Sequence, residues 1–532
     1  MITQQKFPKR FLWGASTASH QVEGGTVNQW SAWELAHAAT LATTAEQRLS
    51  KTTSIVKSAD WKDIKPLATD PENYVSADGI DHYNRYEEDF DLLEGLNFNS
   101  FRFGIEWSRV EPEEGVWNPE ALDHYHDYID SLLDRGITPV LNLWHWTMPT
   151  WFTDKGGFEK KENLPLFDAY VAKISEEYGD KLKYVITLNE PNVYASFSYY
   201  SGEWPPQKKS AATMLTVYRN LVQAHRRAYT ILKANNPALQ VGIAAQLANI
   251  QAKRPHNPLD GVITKTMRYA WNWWFLNRIK KYQDFVGINY YFTDYYKGIN
   301  GKESPGVPLS DMGWYMEPEG LYPLLLRTWV RYRKPIIVTE NGVADHKDQY
   351  RQWWIEETVL AMQRAMSEGV DLRGYMHWSL LDNFEWAYGW WPKFGLIEVD
   401  REHGMERKPR PSAIWFAQQL RVLRGDDVVT RAATATQRPA AQRKPSGHDA
   451  QPPRSRQTAA TTVGRAPASH AVRQHQAAPA AGGDRAEDAN QARLSGIGSR
   501  LRANPVIMTE NRPTPAVRDP RLGPPPSRRR VQ

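Results

Sequence analysis

Hydrophobic positions along the chain fall into two alternating patterns. Short runs rich in β-branched and aromatic residues read as strands: FLWGAST from Phe11, SFRFGIEW from Ser100, TPVLNLWH from Thr138, YVITLNE from Tyr184, QVGIAAQL from Gln240, FVGINYY from Phe285, PIIVTEN from Pro335 and LRGYMHWSL from Leu372. Between them, stretches such as YEEDFDLLEGL from Tyr86 and YHDYIDSLLDRG from Tyr125 repeat apolar residues three and four apart, as amphipathic helices do. Strands alternating with helices predict a parallel sheet covered by helices. Eight such units predict a closed (β/α)8 TIM barrel with long βα loops. Two loops exceed the minimum, Ala36 to Val75 and Ala252 to Asn277, the second holding Trp271, Trp273 and Trp274. Loops after barrel strands shape the entrance, so both segments bear on specificity beyond the first group bound, or else simply on packing.

The pattern stops after Leu423, where composition turns to Ala, Arg, Pro, Gln, Ser and Gly, with no Phe, Tyr or Trp from Arg431 to Gln532. Such a segment cannot bury enough apolar surface to offset its ordering entropy. The expected organisation is therefore a barrel domain over 1–424 and a disordered tail over 425–532. Charge divides the same way. From Arg431 onward there are 18 Lys/Arg and 6 Asp/Glu, leaving 48 and 54 before it, so the net +6 is a body near −6 carrying a tail near +12. Arginines in that tail suit phosphate or carboxylate partners. A dispensable extension is the simpler reading, and nucleic acid is not expected as a partner.

The absence of cysteine excludes disulfides, thiolate metal sites and cysteine nucleophiles. No apolar h-region precedes the first strand, and no apolar run approaches the roughly 18 to 20 residues that cross a bilayer. A cytoplasmic protein without membrane contact is expected. HExxH, GxxxxGK[ST] and a strand-linked GxGxxG are all missing, so no cofactor or metal is expected. Asn341-Gly342 reads as the turn out of the seventh strand.

Several otherwise apolar strands end in polar or acidic residues or in tryptophan: His145, Asn189-Glu190, Asn289, Glu340-Asn341 and Trp378. The carboxyl ends of barrel strands face the catalytic mouth, so Glu190 and Glu340 are the leading pair for acid/base or nucleophilic work. A lone strand-end glutamate is more often a structural carboxylate. Several such ends together favour a site.

Seven segments in chain order make the sequence resemble glycoside hydrolase family 1, the β-glucosidase family: FLWGASTASHQVEGG, FRFGIEWSRVEP, LNLWHWTMPTW, TLNEPN, GINYY, VTENG and HWSLLDNFEWAYGWWPKFGLIEVD. They span nearly the whole body, up to KPRPS at Lys408. The resemblance implies a retaining β-glycosidase that releases terminal β-D-glucosyl or related residues, with Glu190 as acid/base and Glu340 as nucleophile. One carboxyl protonates the departing oxygen while the other attacks the anomeric carbon, and water opens the glycosyl-enzyme afterwards. It also places Arg102, Asn289 and Tyr291 around the nucleophile. Gln21, His145, Asn189 and Glu385 would bond sugar hydroxyls, and Trp378 and Trp386 would supply apolar faces.

Departures narrow this. Members acting on 6-phosphorylated sugars replace the Glu-Trp pair that stands here as Glu385-Trp386, and thioglucosidases substitute glutamine for the acid/base that stands here as Glu190. An unphosphorylated O-glycoside is expected. Glu510 in PVIMTEN echoes the nucleophile motif but lacks its glycine and barrel context, so it is set aside. The choice among glucose, galactose and fucose stays open, as does transfer to other acceptors. The competing reading is a non-catalytic sugar-binding protein on the same fold, against which the presence of both carboxylates argues.

Overall fold

The computed structural model describes residues 7–298, 300–301 and 307–424. The tail expected over 425–532, Glu510 included, lies outside the described residues. Within them the eight expected strands all form: β1 Leu12–Ser16, β2 Ser100–Gly104, β3 Thr138–Asn142, β4 Tyr184–Asn189, β5 Gln240–Gln246, β6 Val286–Tyr290, β7 Ile336–Asn341 and β8 Leu372–Trp378. Neighbouring strands pair in parallel and close in the order β1-β8-β7-β6-β5-β4-β3-β2. The chain is a (β/α)8 barrel.

Almost every strand position is buried, because each strand packs inward on the barrel filling and outward on helices. Val140, Ile186, Ala244, Ile337 and Met376 belong to the inner cluster. Outer helices include α1 His82–Gly95, α2 Pro119–Asp134, α3 Leu164–Tyr178 and α4 Ala211–Asn235. The second starts where Asn118 accepts from the Ala121 N–H and Pro119 takes the first turn, whose N–H groups have no intrahelical partner. Pro411–Arg424 closes the described chain as a helix.

The two long connections are helical rather than irregular. The helix Gln29–Thr43 runs into the first, which also holds the helices Ala45–Thr52 and Trp61–Ala68, and the helical stretch from Pro258 to Ile279 fills most of the second and runs just past it, supplying the outer layer after β5. Trp273 is buried there, and Trp274 stacks on Tyr218 at 4.6 Å, so these two tryptophans pack the barrel wall. Gly342 is required for close approach: a Cβ there would lie 1.7 Å from the Trp378 carbonyl oxygen. Its backbone is not left-handed, so the Asn-Gly pair serves the β7–β8 contact rather than a hairpin turn. No helix of the described residues is long and apolar enough to cross a membrane.

Candidate active site

Strand register brings the strand-end polar residues to one mouth. Glu190 directly follows β4 with a left-handed backbone (φ 42°), its N–H bonded to the Ala244 carbonyl at 2.8 Å, and Pro191 starts a helix immediately after. Trp146 (φ 76°) and Trp386 (φ 52°) share that uncommon conformation. Such geometry costs on the order of 1–3 kcal/mol per residue and persists only where its surroundings dictate it.

A continuous hydrogen-bonded network joins the two glutamates. Arg102, fully buried on β2, donates one Nη to Glu340 Oε1 and the other to Asn189 Oδ1 at 2.7 Å. Asn289 Nδ2 donates to Asn189 Oδ1 at 3.1 Å and to Glu190 Oε1 at 2.8 Å, while Thr339 Oγ1 donates to Asn289 Oδ1 at 2.6 Å. Asn289 therefore sits at Glu190 in this structure, not at Glu340 as the resemblance implied; its register partner in β7 is Glu340, but its amide points to the other carboxyl. Tyr291 donates to Glu340 Oε2 at 2.6 Å. Asn189 Nδ2 donates to His145 Nε2 at 2.9 Å.

These surroundings act on several of the titratable groups. Burial, with the nearby Glu340 charge second, holds the Glu190 carboxyl well above its usual range. Burial likewise keeps His145 neutral and lifts the Tyr291 phenol. Glu385 is pushed up to about 8, mainly by burial and then by Glu340, against hydrogen bonds from Asn383 and Gln21. Near neutral pH it is largely a carboxylic acid, able to donate as well as accept.

Around the network, Gln21 Nε2 donates to the Phe384 carbonyl at 2.7 Å and reaches Glu385 Oε2 at 3.5 Å; Gln21 Oε1 is buried without a partner. The rings of Trp378 and Trp386 lie 5.8 and 5.9 Å from His145. Hydrogen bonds, ring contacts and chain adjacency thus bring the eleven residues singled out from the sequence together at the carboxyl ends of the barrel strands.

Sequence reasoning missed two supports. Asn383 Nδ2 donates to Glu385 Oε2 at 3.1 Å. His20 stacks on Trp386 at 5.6 Å and pairs with buried Glu34 at 2.7 Å. Asn383 and His20 lie within matched motifs, but Glu34 is on the helix Gln29–Thr43, just ahead of the first long connection, and carries no local signal.

The sequence model of Glycosyl hydrolase family 1 matches residues 3–281 and 276–422. The chain belongs to glycosyl hydrolase family 1. Its relatives in the family include β-glucosidase A of Acetivibrio thermocellus, 30% identical over 467 residues covering 78% of this chain and 98% of that protein. A β-galactosidase of Sulfolobus acidocaldarius is 29% identical over 476 residues, 74% of this chain and 91% of that one. Among solved structures, the β-glycosidase from Pyrococcus horikoshii superposes with TM-score 0.67 at 32% identity, covering 79% of this chain and 96% of its own. The β-glucosidase from Thermotoga maritima in complex with glucoimidazole gives 0.66 at 28% identity, covering 79% and 99%. A family 1 chain is a glycoside hydrolase, so this protein is an enzyme acting on O-glycosyl bonds of carbohydrates.

Proposed function

We propose that the chain is a retaining β-glycosidase releasing terminal non-reducing β-D-glucosyl or related residues, with its catalytic unit in 1–424. Glu190 is the acid/base and Glu340 the nucleophile. The observation that carries the assignment is the unequal setting of the two carboxyls. Arg102 and Tyr291 each donate to one oxygen of Glu340, which fixes the carboxyl in rotation for attack. Glu190, deeply buried and facing the Glu340 charge, keeps its proton.

In the first step a Glu340 oxygen attacks the anomeric carbon while the Glu190 proton passes to the departing glycosidic oxygen. The Glu340 charge is consumed in the ester, so Glu190 then ionises more easily and takes a proton from the incoming water. Water attacks the same carbon, releasing the sugar with its configuration retained and Glu340 ionised. Gln21, His145, Asn189 and Glu385 bond the sugar hydroxyls, and Trp378 and Trp386 bound it with apolar faces. Asn189 touches the 2-hydroxyl, a contact that strengthens as positive charge builds at the ring.

Incubation with 2,4-dinitrophenyl 2-deoxy-2-fluoro-β-glucoside tests the scheme. One equivalent of dinitrophenolate is released in a burst and the sugar is recovered on the peptide carrying Glu340. No burst, or a label on another residue, overturns it. Relative turnover of aryl β-glucoside and β-galactoside ranks the two sugars that the relatives' names suggest.

A further inference from the structure

We infer that Gln246 and Trp271 form a binding site for a hydroxylated leaving group, a second sugar rather than an apolar aglycone; the inference rests on Glu190 being the acid. Order around the barrel sets the direction. Of the groups assigned to the terminal sugar, Gln21 follows β1, Trp378, Glu385 and Trp386 come from β8 and its loop, and His145 and Asn189 come from the ends of β3 and β4, which leaves the end of β5 unassigned. In an eight-strand ring β5 lies diametrically opposite β1. Glu190, which must touch the departing oxygen, directly follows β4 and bonds Asn289 on β6, so the leaving group extends over the β5–β6 arc.

Gln246 ends β5 on that arc. Ala244, two residues earlier and therefore on the same face, packs in the inner cluster with Ile186 and Ile337. Gln246 also pairs in parallel register with Asn289, whose amide points inward at Glu190. Both relations direct the Gln246 side chain inward, at the level of the mouth. Asn192, two residues beyond Glu190, donates Nδ2 to the Gln246 carbonyl at 2.9 Å and ties the acid's loop to this position.

The amide is oriented as well as placed. The Trp271 indole, which can only donate, bonds Gln246 Oε1, so the amide presents its NH2 group away from the indole. That Nε2 is buried without a partner. An unmade buried donor is costly, and a sugar hydroxyl oxygen would satisfy it where an apolar aglycone would not. Trp271 itself is half-buried, unlike the buried Trp273.

The test compares kcat/KM for cellobiose with that for p-nitrophenyl β-glucoside in the full chain and in Gln246→Leu. The cellobiose-to-aryl ratio is expected to fall roughly tenfold in the variant, the loss of one buried hydrogen bond. Trp271→Phe, which keeps a ring but frees the amide, shifts the ratio the same way by less, and decides the matter if Gln246→Leu does not fold. An unchanged ratio in the folded variant overturns the site, as does a wild-type chain that cleaves the aryl glucoside but not cellobiose. A wild-type chain inert toward both overturns the glycosidase reading and the site with it.

Discussion

Tyr291 donates its phenol to Glu340 Oε2 across 2.6 Å, from the residue immediately after β6 to the penultimate residue of β7. Arg102 occupies the other oxygen, so the carboxylate is fixed in rotation while Oε2 shares its charge with a neutral donor. Tyr291→Phe removes a hydrogen bond to a charged group. It should lower kcat roughly 10- to 100-fold on aryl glucosides, measured at saturating substrate.

Glu340→Gly should reduce aryl β-glycoside hydrolysis by at least about 10⁴-fold, since covalent catalysis is lost outright. Azide or formate should restore turnover by entering the vacated space, azide giving the α-glycosyl azide. Undiminished hydrolysis in the variant removes Glu340 from the mechanism.

Glu190→Ala should separate substrates by leaving group. Alkyl or sugar leaving groups need the proton and should lose roughly 10²- to 10⁴-fold, whereas dinitrophenolate should lose far less in the glycosylation step. Equal losses across a series of aryl leaving groups contradict the acid role. In the wild type, kcat/KM should fall with rising pH only well above the ordinary carboxyl range, because loss of the raised Glu190 proton disables the donor.

Arg102→Met leaves Glu340 buried beside an unbalanced network and should cost about 3–5 kcal/mol in urea unfolding. Adding Glu340→Gln removes the uncompensated charge and should recover part of that loss. A strictly additive double variant refutes the coupling.

Glu385 makes stability pH-dependent in a definite sense. Its folded-state carboxyl titrates at about 8, above its unfolded value, so the folded protein holds an extra proton between the two. The contribution is fully present below the unfolded value and is lost as pH rises toward 8. Glu385→Gln should therefore flatten the fall in Tm between about pH 5 and pH 8.

How far the chain was legible varies by element. Each barrel strand showed itself because a parallel strand buried on both faces needs a concentrated run of apolar residues, as in PIIVTEN ending at Asn341. Glu190 and Glu340 were visible because an acidic residue is out of place at the end of such a run unless it faces the mouth. The helices between Gln29 and Ala68 were not legible: they are held by contacts between distant segments, such as Trp30 against Trp386 at 4.7 Å.

By itself the sequence determined the repeated βα architecture, the family and the set of candidate side chains, since periodicity and motif are properties of neighbouring residues. Only the tertiary structure decided what each side chain faces. Asn289 turned to Glu190 rather than Glu340, Glu385 lost its charge to burial, and Gln246 met Trp271 across a helix 25 residues away. Orientation and desolvation arise when distant segments close around a group, and no local pattern encodes that closure.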